Sequence, residues 1–223
     1  MKLLGLETSS ARGSVALSTG ARVIERHIQT PREQTELVLQ LTAELLAEAG
    51  IELRELDGIA FGKGPGSFTG LRLAAAVAQG FALSCGVPLL PVSSLLALAQ
   101  GAWRAERVGN SLICIDARMG EVYWGEFAVV DGLAVNQRDD QLSLPNALSV
   151  PAVKPWTAIG NGFSVYAQQL EPLLAGADRV LPELLPSAQD LFPQAAQNLV
   201  VGRVTPVAEA LPVYLRGQAA WRR

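Results

Sequence analysis

The start of the chain alternates short apolar segments with clusters of glycine and small polar residues, a pattern typical of strands joined by turns. Val15 and Leu17 lie on one side of an alternating segment, and Thr19-Gly20 follows it as a two-residue turn. An antiparallel hairpin is therefore predicted at this point. The three predicted strands cover residues 2–7, 14–18 and 21–29.

Residues 31–49 carry the signals of a helix that buries two faces. Thr30 suits the N-cap, Pro31 suits the first helical position, and Glu33 completes a capping box. Apolar side chains cover more than one stripe of this segment, so a single buried face does not account for them. Gly50 is expected to end the helix.

A glycine-rich segment from Gly62 to Gly70 precedes the second predicted helix. Glycine allows positive φ and close backbone approach, and the N-terminus of a helix offers N–H groups to an anion. The residue order matches neither the Walker A loop nor the dinucleotide fingerprint. Three interpretations stay open: a tight turn packed against another helix, a contact to phosphate, or docking of a partner. The residues concerned are Gly64, Pro65, Gly66, Ser67, Phe68, Thr69, Gly70 and Arg72.

The second helix, predicted over residues 71–85, is apolar on nearly all sides. Its polar residues are Arg72, Gln79 and Ser84. A helix of this composition is expected between two layers rather than at the surface. Small side chains recur every four positions, at Ala74, Ala78 and Ala82.

The order of predicted elements is doubled along the chain. Up to residue 104 it reads β-β-β-α-β-α-β-α, and after a polar stretch a strand hairpin and αβ elements follow again. Two small α/β domains are therefore predicted, residues 1–104 and 105–223, and a return of the tail 205–223 to the first lobe is left open. Beyond the first helices, strands are predicted at 57–62, 87–92, 111–116, 121–130 and 133–136, a strand end followed by a turn at 157–162, helices at 93–104, 163–174 and 187–201, and an extended segment at 212–216.

Composition narrows the class of protein. Of 223 residues, 49% are apolar and 17% charged, which allows a core and excludes intrinsic disorder. A formal net charge of −3 argues against strong binding of nucleic-acid phosphates by this chain alone. The apolar stretch 71–83 is shorter than the roughly 18 residues of a membrane span, and the early Glu7 does not suit a signal peptide. A cytoplasmic location is expected, with Cys85 and Cys114 as buried small apolar residues.

A single histidine, His27, limits the available chemistry. No pair of imidazoles can hold a metal, no metal site is predicted, and the serines have no neighbouring histidine to activate them. Glu7, Thr8 and Ser9 end the first strand, where an Asp would hold a metal in many phosphoryl-transfer folds. A Glu satisfied by the neighbouring hydroxyl and N–H groups is favoured here over a catalytic role.

Four segments of the sequence are distinctive as a set. They are Leu6-Glu7-Thr8-Ser9, Gly64-Pro65-Gly66-Ser67-Phe68-Thr69-Gly70-Leu71-Arg72, Ile115-Asp116-Ala117-Arg118-Met119-Gly120-Glu121-Val122-Tyr123-Trp124 and Pro212-Val213-Tyr214-Leu215-Arg216. Together they resemble the bacterial TsaB (YeaZ) family over nearly the whole chain. The resemblance implies an α/β fold of the actin-like, ribonuclease-H-like (ASKHA) class with two lobes, in agreement with the doubled order of elements.

The resemblance also implies a function in a complex. It points to a non-catalytic scaffold or activator in the synthesis of threonylcarbamoyladenosine beside the tRNA anticodon, with a TsaD transferase and a TsaE ATPase. The metal-binding His-x-x-x-His pair of TsaD has no counterpart in a chain with one histidine. ATP, ADP and metal are therefore expected only in partner subunits or at joint interfaces, and tRNA is expected to be contacted indirectly through the complex. Glu7, Thr8 and Ser9 would then be a vestigial nucleotide site.

The two apolar helices are expected to meet another molecule. The resemblance implies a homodimer through these helices, and the homologous lobe of the TsaD-like subunit can take the same place, so the two assemblies would exclude each other. No membrane partner is expected. The predicted interface residues are Leu37, Leu41, Leu45, Leu71, Ala74, Ala78 and Phe81.

Two other functions stay open. A nucleotide-dependent small-molecule kinase or ATPase of the actin-like fold would use Glu7 and the glycine-rich loop, but the missing Asp and the missing second phosphate signature weigh against it. A stand-alone RNA-binding module would use the basic, aromatic end of the chain, formed by Arg216, Trp221, Arg222 and Arg223. The acidic net charge weighs against that function.

Overall fold

Residues 1–216 are described by the computed structural model, and Trp221, Arg222 and Arg223 of the predicted basic tail lie outside the described residues. The strands are β1 (Leu3–Glu7), β2 (Gly13–Ser18), β3 (Val23–Ile28), β4 (Gly58–Gly64), β5 (Leu89–Ser93), β6 (Asn110–Arg118), β7 (Glu121–Val130), β8 (Leu133–Asn136), β9 (Gln141–Ser143), β10 (Thr157–Ile159) and β11 (Arg179–Leu181). The helices are α1 (Pro31–Ala49), α2 (Phe68–Cys85), α3 (Ser94–Glu106), α4 (Gly162–Val165), α5 (Ala167–Leu174) and α6 (Phe192–Val200).

The chain divides into two compact units. Unit 1 consists of Met1–Ala97 and Pro186–Val213, and unit 2 consists of Leu98–Leu185 and, among the described residues, 214–216. The division between the units falls inside α3.

Unit 1 is built on a five-stranded sheet in the order β3-β2-β1-β4-β5. The first three strands form an antiparallel meander, whereas β4 and β5 join in parallel. The two helices α1 and α2 cover one side of this sheet, and Val38 and Ala78 share one apolar core there with Leu4 and Leu6 of the central strand. Thr30 caps α1 and Gly50 ends it in the left-handed conformation, as the capping box predicts.

The central strand β1 is buried on both faces. Its five residues are all buried. On the side away from Leu4 and Leu6, a Cβ on Gly5 would lie 2.7 Å from the Ala188 carbonyl oxygen and 3.0 Å from the Phe192 ring. The segment that carries Ala188 and α6 therefore provides the second cover of the sheet.

This second cover corrects the predicted division at 104/105, which assigned residues 105–223 to one lobe. Residues 186–213 belong to unit 1 because the central strand needs apolar cover on both faces. Polar contacts hold the segment in place: the Ala188 N–H donates to Ser14 Oγ at 2.8 Å, and the Thr205 N–H donates to the Leu89 carbonyl at 3.0 Å. Of the tail expected from 205 onward, residues 205–213 lie in unit 1.

Unit 2 repeats the plan of a hairpin joined to parallel strands. Its sheet has the order β11-β10-β6-β7-β8, with β9 also pairing with β7. The β6–β7 and β7–β8 pairs are antiparallel, and β6, β10 and β11 run parallel. A core that includes Trp124, Trp156 and Phe163 fills the space between the sheet and α4 and α5. The doubled α/β architecture predicted from the sequence is confirmed.

Several element boundaries differ from those predicted. The helix expected over 163–174 is two helices, because Tyr166 leaves the helical region with φ −113°. The helix expected over 187–201 is a short 3₁₀ turn, Ala188–Leu191, followed by α6. Among the described residues, 212–216 form no strand. The three-residue strands β9 and β11 were too short to give a periodic signal.

Among the described residues, α2 alone has the length and apolar composition that a membrane-crossing helix needs, with a mean hydropathy of 1.2. A core helix of a folded unit meets the same criteria. The α2 helix has a buried stripe that includes Leu71, Ala74 and Ala78, and this stripe packs on the sheet of unit 1.

Arginine at two neighbouring positions of α2 tests which side of this helix faces the core. Ala78 is fully buried and Ala76 is exposed. We expect Ala78→Arg to lower the free energy of unfolding by about 3 kcal/mol or more, because it forces an unpaired charge and a large side chain into the core. Ala76→Arg should change it by less than about 0.5 kcal/mol. Urea denaturation followed by circular dichroism measures both, and equal effects would contradict the described orientation of α2.

Candidate functional site

The end of β1 places a glutamate inside unit 1. Glu7 has no exposed surface, Thr8 has none either, and Ser9 is 5% exposed. The Ser9 N–H donates to Glu7 Oε1 at 2.7 Å, and the Ser94 hydroxyl donates to Oε2 at 3.0 Å. The carboxylate also fills the space above Gly62, where a Cβ would overlap it. Glu7 is therefore enclosed by its own chain, and its carboxylate has no surface for a ligand.

Burial sets the protonation of this carboxyl group. Loss of hydration raises the pKa of Glu7 above its ordinary value of 4.5, since the charged form is the one that loses solvation. The hydrogen bonds from Ser9, Ser94 and Thr8 act in the opposite direction and are outweighed. A perturbed pKa is often a sign of catalysis, but here the burial that causes it also keeps substrate away.

The glycine-rich loop lies directly on the turn that follows β1. The Ser67 N–H donates to the Ser9 carbonyl at 2.7 Å, and the Thr8 hydroxyl donates to the Gly70 carbonyl at 2.6 Å. A Cβ on Gly66 would lie 2.6 Å from Cβ of Ser9, and a Cβ on Gly70 would overlap the Thr8 carbonyl oxygen. Glycine is needed at both positions because the two stretches of main chain lie in contact there, inside unit 1. This contact explains the two glycines, and a bound phosphate is not needed to explain them.

The remaining loop residues start α2. Ser67 is the N-cap, and its side chain accepts the Gly70 N–H at 3.4 Å. Gly64 has φ +105°, a conformation suited to glycine, and the Lys63 carbonyl next to it accepts the Val213 N–H at 2.8 Å. Pro65 is buried and Thr69 is exposed.

Arg72 and Phe68 form a pair at the beginning of α2. The Arg72 guanidinium carbon lies 3.7 Å from the centre of the Phe68 ring, within the range of a cation–π contact. Arg72 is exposed and Phe68 is partly exposed. The guanidinium thus lies over the ring at the edge of the helix surface.

Four of the residues predicted for the partner interface lie in the core instead. Leu45, Leu71, Ala74 and Ala78 are at most 1% exposed, so the prediction that they contact a partner is corrected. They occupy the sides of α1 and α2 that face the sheet, because those sides carry the stripes that best match its apolar surface.

The other three predicted interface residues are partly exposed. Leu37, Leu41 and Phe81 pack against the rim of the unit 1 core. Leu37 and Leu41 share a helix stripe with Glu48, whose carboxylate pairs with Arg26 of β3 at 2.6 Å. Contact of these residues with a partner stays a prediction.

The outward side of α2 carries apolar residues that the sequence prediction missed. We call Leu73, Ala76, Val77, Gly80 and Leu83 the outer ridge. Ala76, Gly80 and Leu83 are exposed, Leu83 to 74%, and a Cβ placed on Gly80 would meet no atom within 4 Å apart from its chain neighbours and the backbone of its own helix. Spacings of three and four residues place these side chains on one face. The same spacings are in the sequence, but an all-round apolar helix gives no contrast between its faces.

No group of three or more His, Cys, Asp or Glu side chains within residues 1–216 is arranged to hold a metal ion. His27 lies in β3, and its Nε2 is 3.5 Å from Oε2 of Glu25.

Comparison with known proteins identifies the family. A family model described as TsaD, tRNA N6-adenosine threonylcarbamoyltransferase, matches residues 28–204. The tRNA threonylcarbamoyladenosine biosynthesis protein TsaB of Escherichia coli (strain K12) is 35% identical over 240 aligned residues, which cover 100% of this chain and 98% of that protein. The structure of YeaZ from Pseudomonas aeruginosa is similar with a TM-score of 0.89 at 36% identity and covers 96% of this chain and 99% of that one. A crystal structure of a Pseudomonas aeruginosa protein described as similar to peptidase YeaZ gives the same values.

The doubled sheets and these similarities define an α/β protein of the actin-like class. The chain belongs to the TsaB (YeaZ) family. Its relatives of that name are tRNA threonylcarbamoyladenosine biosynthesis proteins.

Alanine at two glycines of α2 tests the contact between the loop and β1. We expect Gly70→Ala to lower the free energy of unfolding by about 3 kcal/mol or more, because the added methyl overlaps the Thr8 main chain. At Gly80 there is space for a methyl group, so Gly80→Ala should raise the free energy of unfolding by about 0.5–1 kcal/mol, because alanine has the higher helix propensity. Thermal and urea unfolding of both variants check the pair. A tolerated Gly70→Ala would contradict the close approach.

The dependence of stability on pH tests the burial of Glu7. With its pKa raised, Glu7 favours folding most below its ordinary pKa, and this contribution is lost as the pH rises through the folded-state pKa. We therefore expect Glu7→Gln to gain stability relative to the wild type as the pH rises above the ordinary pKa of glutamate.

Glu55 provides a matched control of opposite sign. The Glu52 N–H and Lys2 lower the pKa of exposed Glu55, so its contribution is present above its ordinary pKa and is lost as the pH falls. Glu55→Gln should lose stability relative to the wild type at the higher pH. Urea denaturation across the pH series measures both differences, and slopes of the same sign would contradict the described environments.

Proposed function

We propose that this protein is a non-catalytic subunit that supports threonylcarbamoyl transfer to the adenosine beside the anticodon of tRNA. It acts as a scaffold or activator for a TsaD-type transferase, in an assembly completed by a TsaE-type ATPase. The observation that carries this proposal is the outer ridge, an exposed apolar surface on a chain of the TsaB family. Monomeric proteins rarely expose such a surface without a binding partner.

The composition of the outer ridge suits a helix–helix contact. Ala76 and Gly80 keep the side chains short at its centre, so another helix can approach closely, and Leu83 offers a large apolar side chain at one end. An interface of ordinary size buries about 800 Å² on each partner, and apolar burial contributes about 25 cal/mol per Å². This driving force is ample even after the entropic cost of association. The half-buried Leu37, Leu41 and Phe81 extend the apolar surface at its rim.

The arrangement at the end of β1 supports a non-catalytic role. A catalytic carboxylate must reach the reacting atoms, whereas Glu7 is enclosed by Ser9, Ser94 and Gly62. With a single histidine in the sequence, a two-histidine metal site would have to come from another subunit. ATP, ADP and metal are accordingly assigned to the partner proteins or to joint interfaces with them, and tRNA is contacted through the complex.

One surface then serves two assemblies. A second copy of this chain and the TsaD-type subunit would both dock on the outer ridge, and each would exclude the other. Increasing the concentration of the TsaD-type subunit should convert homodimer into heterodimer without an intermediate that contains both contacts.

Glutamate at Leu83 tests this surface, with Val200→Glu as the matched control. The two residues belong to unit 1 and are similarly exposed, 74% and 72%. We expect Leu83→Glu to leave a folded chain whose affinity for the TsaD-type subunit falls at least about tenfold, because a charge would be buried in the interface. Val200→Glu should bind as the wild type does. Calorimetric titration measures the affinities, and light scattering measures self-association.

Two results would contradict the proposed function. One is wild-type affinity in Leu83→Glu. The other is nucleotide hydrolysis by the isolated chain that is lost in Glu7→Ala, which would favour the alternative of a kinase or ATPase of the actin-like fold.

A further inference from the structure

Gln79 interrupts the apolar middle of α2. The other residues of the stretch 73–83 are all apolar or glycine. The amide Nε2 of Gln79 donates to the Val207 carbonyl at 2.9 Å and to the Ala210 carbonyl at 3.4 Å. A glutamine adds nothing to apolar packing, so its hydrogen bonds to this distant part of the chain account for its place in the helix.

The two carbonyls belong to a segment that crosses from one face of the unit 1 sheet to the other. We call residues 205–213 the crossing segment. It follows α6, which covers one face, and the Thr205 N–H donates to the Leu89 carbonyl of the edge strand β5 at 3.0 Å. It then reaches α2 on the opposite face, and the Val213 N–H donates to the Lys63 carbonyl of β4 at 2.8 Å. The crossing segment is thus attached to the sheet at both ends.

Gln79 fixes the middle of the crossing segment on one flank of α2. The segment has little regular structure there, since the 3₁₀ turn Val207–Glu209 is three residues long. Val207 packs against the unit 1 core, and Ala210 is fully buried in it. Main-chain carbonyls that lie against an apolar helix need a donor, and the Gln79 amide supplies one to both of them.

Leu211 is the exposed residue that this arrangement places beside the outer ridge. Gln79 lies three residues after Ala76 and four before Leu83, so its side chain leaves α2 next to these two ridge residues. Leu211 is bonded directly to the Ala210 carbonyl that the amide holds. It is 59% exposed. The crossing segment therefore continues the apolar surface of the outer ridge.

We propose that Gln79 is a positioning residue for partner binding, and that it holds Leu211 where Leu211 and Leu83 together contact the TsaD-type subunit. This inference rests on the proposed function and adds the crossing segment to the surface assigned there. A side chain that is held in place before binding loses less conformational entropy on association. A fixed Leu211 therefore contributes more affinity than a mobile one.

The TsaD-type subunit is assigned to this place because of where the family model matches. The match covers residues 28–204, which include α1 and α2 and end before the crossing segment. A protein of that family therefore has counterparts of both helices within the match. It brings no second crossing segment within that region, so Leu211 meets the facing helices. In a dimer of two copies of this chain, the same segment would stand on both sides of the two-fold contact.

Glutamate at Leu211 tests the contact, with Val201→Glu as the matched control. Leu211 and Val201 are similarly exposed, 59% and 55%, and Val201 follows α6, which covers the opposite face of the sheet. We expect Leu211→Glu to leave a folded chain whose affinity for the TsaD-type subunit falls at least about tenfold. Val201→Glu should bind as the wild type does. Calorimetric titration measures the affinities, and urea denaturation checks that both variants are folded.

A double-mutant cycle tests the positioning role. Gln79→Met keeps the length of the side chain and removes the amide. We expect it to weaken binding about threefold to tenfold, because Leu211 is no longer held. In a chain that already carries Leu211→Glu, adding Gln79→Met should cause no further loss of affinity. Losses that multiply in the double variant would contradict the positioning role, since a merely structural effect does not depend on the residue at position 211.

The remaining outcomes separate this inference from the proposed function. Wild-type affinity in Leu211→Glu, with Leu83→Glu still impaired, would overturn the inference and leave the proposed function standing. Weaker self-association of Leu211→Glu, with unchanged affinity for the TsaD-type subunit, would also overturn it and assign Leu211 to a second copy of this chain. If the wild type does not bind the TsaD-type subunit, both the inference and the proposed function fail.

Discussion

Contact between two stretches of main chain, the turn after β1 and the loop before α2, determines how unit 1 is arranged. Gly70 lies against the Thr8 carbonyl, where no side chain fits between them. The helix must therefore begin at this point, and its rotation is set by the residue that makes the contact. Ala74 and Ala78 follow Gly70 at helical spacing and face the sheet. Leu83 and the rest of the outer ridge are left on the other side.

The same contact encloses the one acid at the end of β1. Glu7 accepts the Ser9 N–H and the Ser94 hydroxyl, so its charge and shape stabilise the turn on which the loop rests. In a catalytic member of such a fold this position would stay open to a ligand. In this chain Glu7 is fully buried, and its carboxylate fills the space above Gly62.

The sequence predicted the elements that depend on local signals. The bounds of α1 are confirmed because Thr30, Pro31 and Glu33 start it and Gly50 stops it. The strands β1, β2, β7 and β8 are confirmed within a residue or two, because turn residues bound each of these short segments. These signals depend on residues only a few positions apart in the sequence. They can therefore be recognised without knowing the three-dimensional structure.

Features that depend on distant residues could not be predicted in this way. The cover of β1 by α6 joins residues far apart in the chain, and nothing near Phe192 marks it for unit 1. The sides of α2 are equally apolar, so the buried Ala78 and the exposed Ala76 cannot be told apart by composition. The positive φ of Arg118 was also hidden, because it goes with a register shift between Asp116 and Arg118 that the structure alone reveals.

The return of residues 186–213 to unit 1 reverses the usual order of folding during synthesis. Domains generally fold from the N-terminus as the chain emerges from the ribosome. Here β1 is made almost at once, yet the segment that covers its second face is translated only after nearly all of unit 2. Unit 1 therefore receives its second cover only after most of unit 2 has been made, and until then one side of its sheet is uncovered.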